Sequence, residues 1–275
     1  MNSLVLGSKG LIGSYLVSYL QCAGQEVSEI DIKSGKDQDL RFWDSPSLIE
    51  DKFRKADFVY FLAFDVGGSK YLSSIKNNFQ YIRDNDSIMY NTFCALSNLH
   101  KPFIFVSSQL SNLLSSTYGN LKLLGEKYTN SLGGMTAKLW NVYGKQSGSE
   151  DRFYVITDFI NSAIKTNVIS MKTDGEEKRQ FLYAGDCAKA LYTMANNYQN
   201  REYDISSFEW TSVIDLARII ASKTQSAIVI SPNKDVIGRA KLEEPNKDIL
   251  SLWKPETTLE RGIDELISYY KYESI

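Results

Sequence analysis

The sequence predicts an α/β fold built on a doubly wound parallel sheet, and three observations carry that expectation. Over the first 140 residues, short apolar runs alternate with longer amphipathic ones. The first apolar run ends in a turn with glycines at a fixed spacing, Gly7, Gly10 and Gly13. The apolar runs are apolar almost throughout, as strands covered on both faces must be.

In chain order, SLVLG (3–7), DFVYFLAF (57–64), FIFVSS (103–108) and MTAKLW (135–140) read as strands, with EVSEI (26–30) as a further short apolar stretch. Between them LIGSYLVSYLQCAG (11–24), the stretch from Ser74 to Leu99 and the segment from Tyr118 to Ser131 have helical length and period. After Gly144 the chain becomes more polar. KQSGSED reads as a loop, a helix runs from about Phe153 to Lys165, TDGEEKRQ is turn-rich, and another helix begins near Asp186 as its N-cap. SFEWTSVIDLARIIASKT is amphipathic and LERGIDELISYYKY forms a last helix. There are no repeats and no low-complexity tract. The expected layout is a nucleotide-binding lobe over 1–150 and a smaller lobe, mainly substrate-binding, over 151–275, with some of its segments returning to the main sheet.

The 275 residues suffice for a sizeable core. With 31 Lys+Arg against 33 Asp+Glu the net charge is −2, and no stretch is basic enough for a nucleic-acid footprint. Cys22, Cys94 and Cys187 lie too far apart in sequence for a zinc motif or a disulfide framework. The single histidine, His100, precedes an apolar run and is expected to be structural. No run of about 18 apolar residues occurs and no basic segment leads the chain, so the expectation is a soluble cytoplasmic protein that binds neither membrane nor metal.

The glycines of GSKGLIG allow a tight strand-to-helix turn and let a pyrophosphate approach the helix N-terminus, with Leu11 and Ile12 beside them. Asp31, 18 residues after Gly13, stands where a carboxylate accepts hydrogen bonds from an adenosine ribose, flanked by Ile32. An acid there repels a 2′-phosphate and favours NAD. Lys9 and Lys33 could each reach such a phosphate, so NADP stays open. FIFVSS puts Ser107 and Ser108 at the carboxyl end of a strand, where open α/β sheets bind ligands. Tyr118 and Lys122, four apart on one helix face, bring an ammonium toward a phenol. A neighbouring cation lowers a phenol's pKa by about 1–3 units, and a phenol so tuned can exchange a proton while hydride moves to or from a nicotinamide.

With GSKGLIG, FLAFDVGG, FVSS, YGNLK followed by GE, LWNVYG, DGEEKRQFLYAGD and WKPETTLERGIDELISYY in order, the chain resembles the extended short-chain dehydrogenase/reductases, specifically the nucleotide-sugar epimerase/dehydratase family. The resemblance implies a Rossmann-type sheet and a smaller C-terminal substrate-binding lobe. It also implies a catalytic set of Ser108, Tyr118 and Lys122, the serine hydroxyl holding the substrate oxygen. It places Leu62, Ala63 and Phe64 along the cofactor, with Gly67 and Gly68 giving close approach. Gly68, Gln109, Asn141 and Arg179 fall on the substrate, Arg179 and Asn141 near its diphosphate, with Arg239 as a second clamp. Asn85 matches an asparagine on the helix packed near the active site. The family aspartate after Arg179 is Gln180 here. Gln109 and Leu110 replace the acid pair of the 4,6-dehydratases, which argues against elimination. The stretch between Ser108 and Tyr118 is shorter than in most relatives. Relatives commonly dimerise through the helices matching 74–99 and 118–131, and Ile75, Phe79, Ile82, Met89, Phe93 and Leu96 fit either an interface or a core face.

The expected activity is therefore NAD-dependent epimerisation at a ring carbon, C4, of a nucleoside-diphosphate sugar. An NADPH-dependent 4-keto-sugar reductase or epimerase-reductase is the nearest alternative. A catalytically silent dinucleotide-binding protein is the alternative from another class, and a dehydrogenase of small alcohols fits poorly with the second lobe.

Overall fold

The computed structural model describes residues 1–42, 48–199, 201–234 and 243–273. Its first half runs β1 (Asn2–Leu6), α1 (Leu11–Cys22), β2 (Glu26–Ile30), α2 (Leu48–Lys55), β3 (Phe58–Phe61), α3 (Ser69–Ser74), α4 (Phe79–Leu99), β4 (Phe103–Ser108), α5 (Thr117–Ser131), β5 (Met135–Leu139) and β6 (Val142–Tyr143). Then follow α6 (Val155–Thr166), β7 (Val168–Ser170), β8 (Lys178–Arg179), β9 (Leu182–Tyr183), α7 (Ala184–Asn196) and β10 (Glu202–Ile205). The chain continues through β11 (Thr211–Ser212), α8 (Val213–Thr224), β12 (Ala227–Val229) and α9 (Leu259–Glu273).

Six strands form the main sheet in the order β10-β5-β4-β3-β1-β2, all parallel. The order reverses at β1: the chain goes to β2 on one side, then crosses to β3 on the other, and the crevice beyond the strand ends at such a reversal is where ligands bind. Alternate strand residues feed opposite cores because the side-chain period of a strand is two. Val5, Tyr60, Ile104 and Val106 meet Leu16 and Leu20 of α1 and Leu191 and Met194 of α7. Leu4, Leu6, Val59, Phe61, Phe103 and Phe105 meet Ile49 and Phe53 of α2, Met89, Phe93 and Leu96 of α4 and Leu121 of α5. A third core joins α6, α8 and α9 through Ile160, Leu216, Ile220, Ile263 and Leu266. Thus α7 and β10 pack with the main sheet although they follow residue 150.

Phe93 lies at the centre of the second core, with ring contacts to Phe61, Phe103, Phe105 and Tyr128 at 5.2–5.9 Å. Phe93→Ala removes that packing and leaves a cavity, an expected loss of about 3–5 kcal/mol in urea unfolding. Met89, Phe93 and Leu96 are thus inside the protomer, which answers the two-way reading of that helical stripe; of the residues it named, only Phe79 is strongly exposed, at 76%.

Three expectations need correction. The segment 74–99 is not one helix: Asn77 takes a left-handed φ of 59°, and the Asn78 side chain accepts the Tyr81 N–H, so α4 starts afresh at Phe79. Asp186 is not an N-cap. The helix begins at Ala184 with Tyr183 before it, and the buried Asp186 carboxylate accepts the Glu256 and Thr257 N–H groups at 3.2 and 2.7 Å, tying the chain ahead of α9 to α7. The strand expected over 57–64 pairs only through Phe58–Phe61, and residues 62–64 leave the sheet to line the crevice. His100 caps the end of α4 at a φ of 49°. Among the described residues, no helix is long and apolar enough to cross a membrane, and no cluster of His, Cys, Asp or Glu could hold a metal ion.

Candidate active site

At the end of β1 the Gly7 N–H donates to the Ile30 carbonyl at 2.8 Å, drawing the turn onto β2. Gly7 has φ +82°, and a Cβ there would lie 2.8 Å from the Ala63 nitrogen, so both conformation and space require glycine. Gly10 is the N-cap of α1 and brings no side chain to the first-turn N–H groups. Those groups belong to Leu11, Ile12 and Gly13, all on the crevice wall, and give it the anion affinity of a helix N-terminus. The buried Asp31 carboxylate accepts the Lys9 N–H at 2.8 Å and the Lys33 N–H at 2.9 Å, and the Lys33 ammonium donates to the Lys9 carbonyl at 3.2 Å. The glycine turn and the acidic end of β2 are therefore one hydrogen-bonded unit. Ile32 and Lys33 continue the wall, followed by Asp39, Leu40 and Arg41, which the sequence reading missed. Arg41 forks onto Asp39 and reaches Asp84 of α4 at 2.9 Å.

Ser108 closes β4, and α5 starts where Ser116 caps the Gly119 N–H at 3.0 Å. Tyr118 and Lys122 both turn into the crevice that Ser108 also lines. The two serines divide: Ser107 donates to the buried Glu126, while Ser108 accepts the Leu110 N–H and lines the crevice with the phenol. Glu126 lies 3.6 Å from the Lys138 ammonium, which also meets Glu202 at 2.8 Å, so a polar chain backs α5 beneath Lys122. Lys122 donates to the Val106 carbonyl at 2.8 Å and stands 3.7 Å from the centre of the Phe64 ring, which meets Tyr118 edge-on at 5.7 Å. The expectation that Lys122 lowers the phenol's pKa is corrected for the protein's own groups. Burial pushes Tyr118 up, with Tyr154 adding to it and Ser108 opposing it, and burial brings Lys122 down to about 7 against a smaller opposing effect of Glu126. A dry site penalises both charged forms at once.

Leu62, Ala63, Phe64, Gly67 and Gly68 also line the cavity, as do Gln109, Asn141 and Arg179. Asn141 has a φ of 22° and a buried amide nitrogen with no partner among the described residues, a donor awaiting an acceptor. Arg179 is held on β8, which pairs with β11. Gln180 is fully buried, with its oxygen accepting the Ser206 hydroxyl at 2.6 Å. Asn85, fully buried in α4, accepts the Asp65 N–H at 2.8 Å and fixes the loop after Phe64. Arg239 lies outside the described residues.

Asp65, Tyr71, Arg152 and Tyr154 were not singled out in the sequence. Arg152 pairs with Asp65 at 2.6 Å and covers the Tyr71 ring at 3.9 Å, joining residues 87 apart in the chain. No local pattern signals such a pair. Asp65, Arg152 and Tyr154 line, with the glycine turn, Tyr118, Lys122, Asn141 and Arg179, one continuous cavity of about 1640 Å³. That is roomier than the ~300–1,000 Å³ of an ordinary small-molecule pocket, and suits a dinucleotide with a second nucleotide-sized ligand.

A dinucleotide-binding parallel sheet with a hydroxyl, a phenol and a lysine gathered at its strand ends defines the class of a nicotinamide-dependent oxidoreductase fold. The model of the NAD dependent epimerase/dehydratase family matches residues 3–206, and the chain belongs to that family. A Methanocaldococcus jannaschii protein provisionally named as a UDP-glucose 4-epimerase is 33% identical over 165 residues, which are 57% of this chain and 53% of that protein. UDP-glucuronic acid decarboxylase 1 of Xenopus tropicalis is 21% identical over 98% of this chain and 72% of its own length. The chain thus matches about half the length of the first relative. Among solved structures, UDP-glucose 4-epimerase from Thermotoga maritima with UDP-glucose superposes with a TM-score of 0.85 at 20% identity, over 100% of both chains. At that identity the likeness concerns the fold.

Proposed function

We propose that the chain is an NAD-dependent epimerase that inverts a ring carbon, C4, of a nucleoside-diphosphate sugar. The observation that carries this reading is the convergence of Ser108, Tyr118 and Lys122 on one cavity whose lining also includes the glycine turn, Asp31, Asn141 and Arg179. The uncapped N-terminus of α1 and the glycine approach at Gly7 fit a dinucleotide pyrophosphate, and the Asp31 carboxylate fits its ribose. Bound NAD supplies the hydride acceptor and donor. Tyr118 takes the proton from the sugar hydroxyl and returns it, while Ser108 holds the same oxygen. Lys122 supplies positive charge beside the phenol when protonated. Arg179 offers a two-pronged fork to the diphosphate, and the Asn141 amide supplies a further donor. The relatives named for 4-epimerase activity support this reading of the substrate.

Calorimetric titration with NAD(H) and NADP(H), after identifying any nucleotide that copurifies, tests it. Retained NAD with weak NADP(H) binding is the expected result. Preference for NADPH with nothing retained would replace it with a keto-sugar reductase, and binding of neither would sink both. Asp31→Asn is expected to weaken NAD about tenfold by loosening the turn and removing a charged acceptor.

We also infer a homodimer through the outer faces of α4 and α5, where Phe79, Tyr90 and Leu124 are exposed. A Tyr90→Asp, Leu124→Asp double variant is expected to sediment as a monomer. An unchanged sedimentation coefficient would move the interface elsewhere.

A further inference from the structure

We propose that Tyr154 is a specificity-determining residue whose phenol donates a hydrogen bond to a pyranose hydroxyl next to the carbon served by Tyr118. This rests on the reading of the cavity as a nucleoside-diphosphate-sugar site.

Tyr154 is the last residue before α6, with extended backbone, so its side chain leaves the helix rather than joining its packed face. Its main chain is fixed from three directions. The Tyr154 N–H donates to the Gln146 side-chain oxygen at 3.0 Å, and the nitrogen of the same amide donates to the Arg152 carbonyl at 2.9 Å. That carbonyl also accepts the Gly68 N–H at 3.0 Å. Gly68 packs so closely on the Phe153 carbonyl that a Cβ would overlap it and would lie 3.4 Å from the Tyr154 Cα. On the other side of the segment, Arg152 is pinned by Asp65 and stacked on Tyr71. The 152–154 strap, from the second half of the chain, is therefore riveted to the loop that follows the cofactor-lining Phe64.

Its placement brings a second phenol to the reacting region. Tyr154 and Tyr118 line the same cavity, and the strap that carries Tyr154 is tied through Asp65 to the loop after Phe64, whose ring meets Tyr118 edge-on at 5.7 Å. The hydroxyl of Tyr81, 3% exposed, has no partner among the described residues. Burial pushes Tyr154 up to about 12, with Arg152 opposing, so the phenol is neutral at physiological pH. A neutral hydroxyl matches another hydroxyl better than a phosphate, which the guanidinium of Arg179 recognises instead. The pairing chemistry thus separates along the cavity: cation toward the diphosphate, phenols toward the sugar ring.

The test compares wild type and Tyr154→Phe, both loaded with NAD, by calorimetry against UDP-glucose, dTDP-glucose and GDP-mannose. The tightest binder is then set against its parent nucleoside diphosphate. The expected result is a sugar-nucleotide affinity lowered about three- to tenfold, the worth of one neutral hydrogen bond. Affinities for NAD and for the parent diphosphate should be unchanged. An equal loss for sugar nucleotide and parent diphosphate, or no loss for either, overturns the assignment. A wild-type protein that binds NAD but takes no sugar nucleotide more tightly than its diphosphate overturns the proposed function instead, and does so before the variant is made. Altered NAD affinity in the variant would mark Tyr154 as structural and overturn the assignment too.

Discussion

Tyr118→Phe is expected to lower turnover by about 10²–10⁴-fold, the usual worth of a positioned acid/base, while NAD affinity and the melting temperature stay near wild type. The change removes one oxygen from a side chain 9% exposed and packed edge-on against Phe64. Little packing is lost, so a drop in turnover reads on the proton transfer. The phenol's surroundings make the prediction sharper. Burial, with Tyr154 adding to it and Ser108 opposing, holds Tyr118 in its protonated form. The proton is therefore present on Tyr118 unless the nicotinamide cation of bound NAD favours the phenolate, and activity should follow a bell in pH, rising as the phenol ionises and falling as Lys122, brought down to about 7 by burial, loses its charge. A variant with more than about a tenth of wild-type turnover would remove Tyr118 from the chemistry.

The second large effect is expected at Lys122, and it has two opposite signs. Lys122→Met should abolish turnover, because it deletes the charge beside the phenol. It should also stabilise the free protein at neutral pH by about 2 kcal/mol, a rise on the order of 5 °C in melting temperature. Lys122 is 3% exposed, and burial lowers its pKa from 10.5 to about 7. Between those two values the unfolded chain binds more protons than the folded one, so this group makes stability rise with pH across that window. Below about 7 the charged lysine sits in the dry site and the full penalty is present; above 10.5 neither state carries the charge and the penalty is gone. The Val106 carbonyl and the Phe64 ring offset part of the penalty, which is why the expected gain is smaller than the full shift. Melting curves of wild type and variant from pH 7 to 10 check this. The wild type should approach the variant as pH rises, and a gap independent of pH would show that packing, not charge, separates them.

Such a lysine also shows where local pattern ended and packing began. The spacing of Tyr118 and Lys122 put both on one helix face, and Gly7, Gly10 and Gly13 marked the strand-to-helix turn, because these arrangements follow from the 3.6-residue period and from the backbone alone. FIFVSS became β4 with the bounds read from the sequence, since a continuous apolar run flanked by turns leaves few alternatives. Asp186 shows the converse. An acidic residue near a helix start is a good N-cap by local rule, yet the carboxylate turns to the backbone at 256–257, 70 residues away.

By itself, then, the sequence determined the alternation of β1, α1, β3, β4, α5 and β5, the glycine turn, and the placing of Tyr118 and Lys122 on one helix face. Each depends on residues close in the chain. Only the tertiary structure decided that Glu202–Ile205 completes the main sheet, that Ser107 turns to Glu126 while Ser108 accepts the Leu110 N–H, and that Arg152 pairs with Asp65. It also decided the direction in which Tyr118 and Lys122 titrate, because desolvation depends on what the rest of the chain packs around a charge, which no spacing between two residues records.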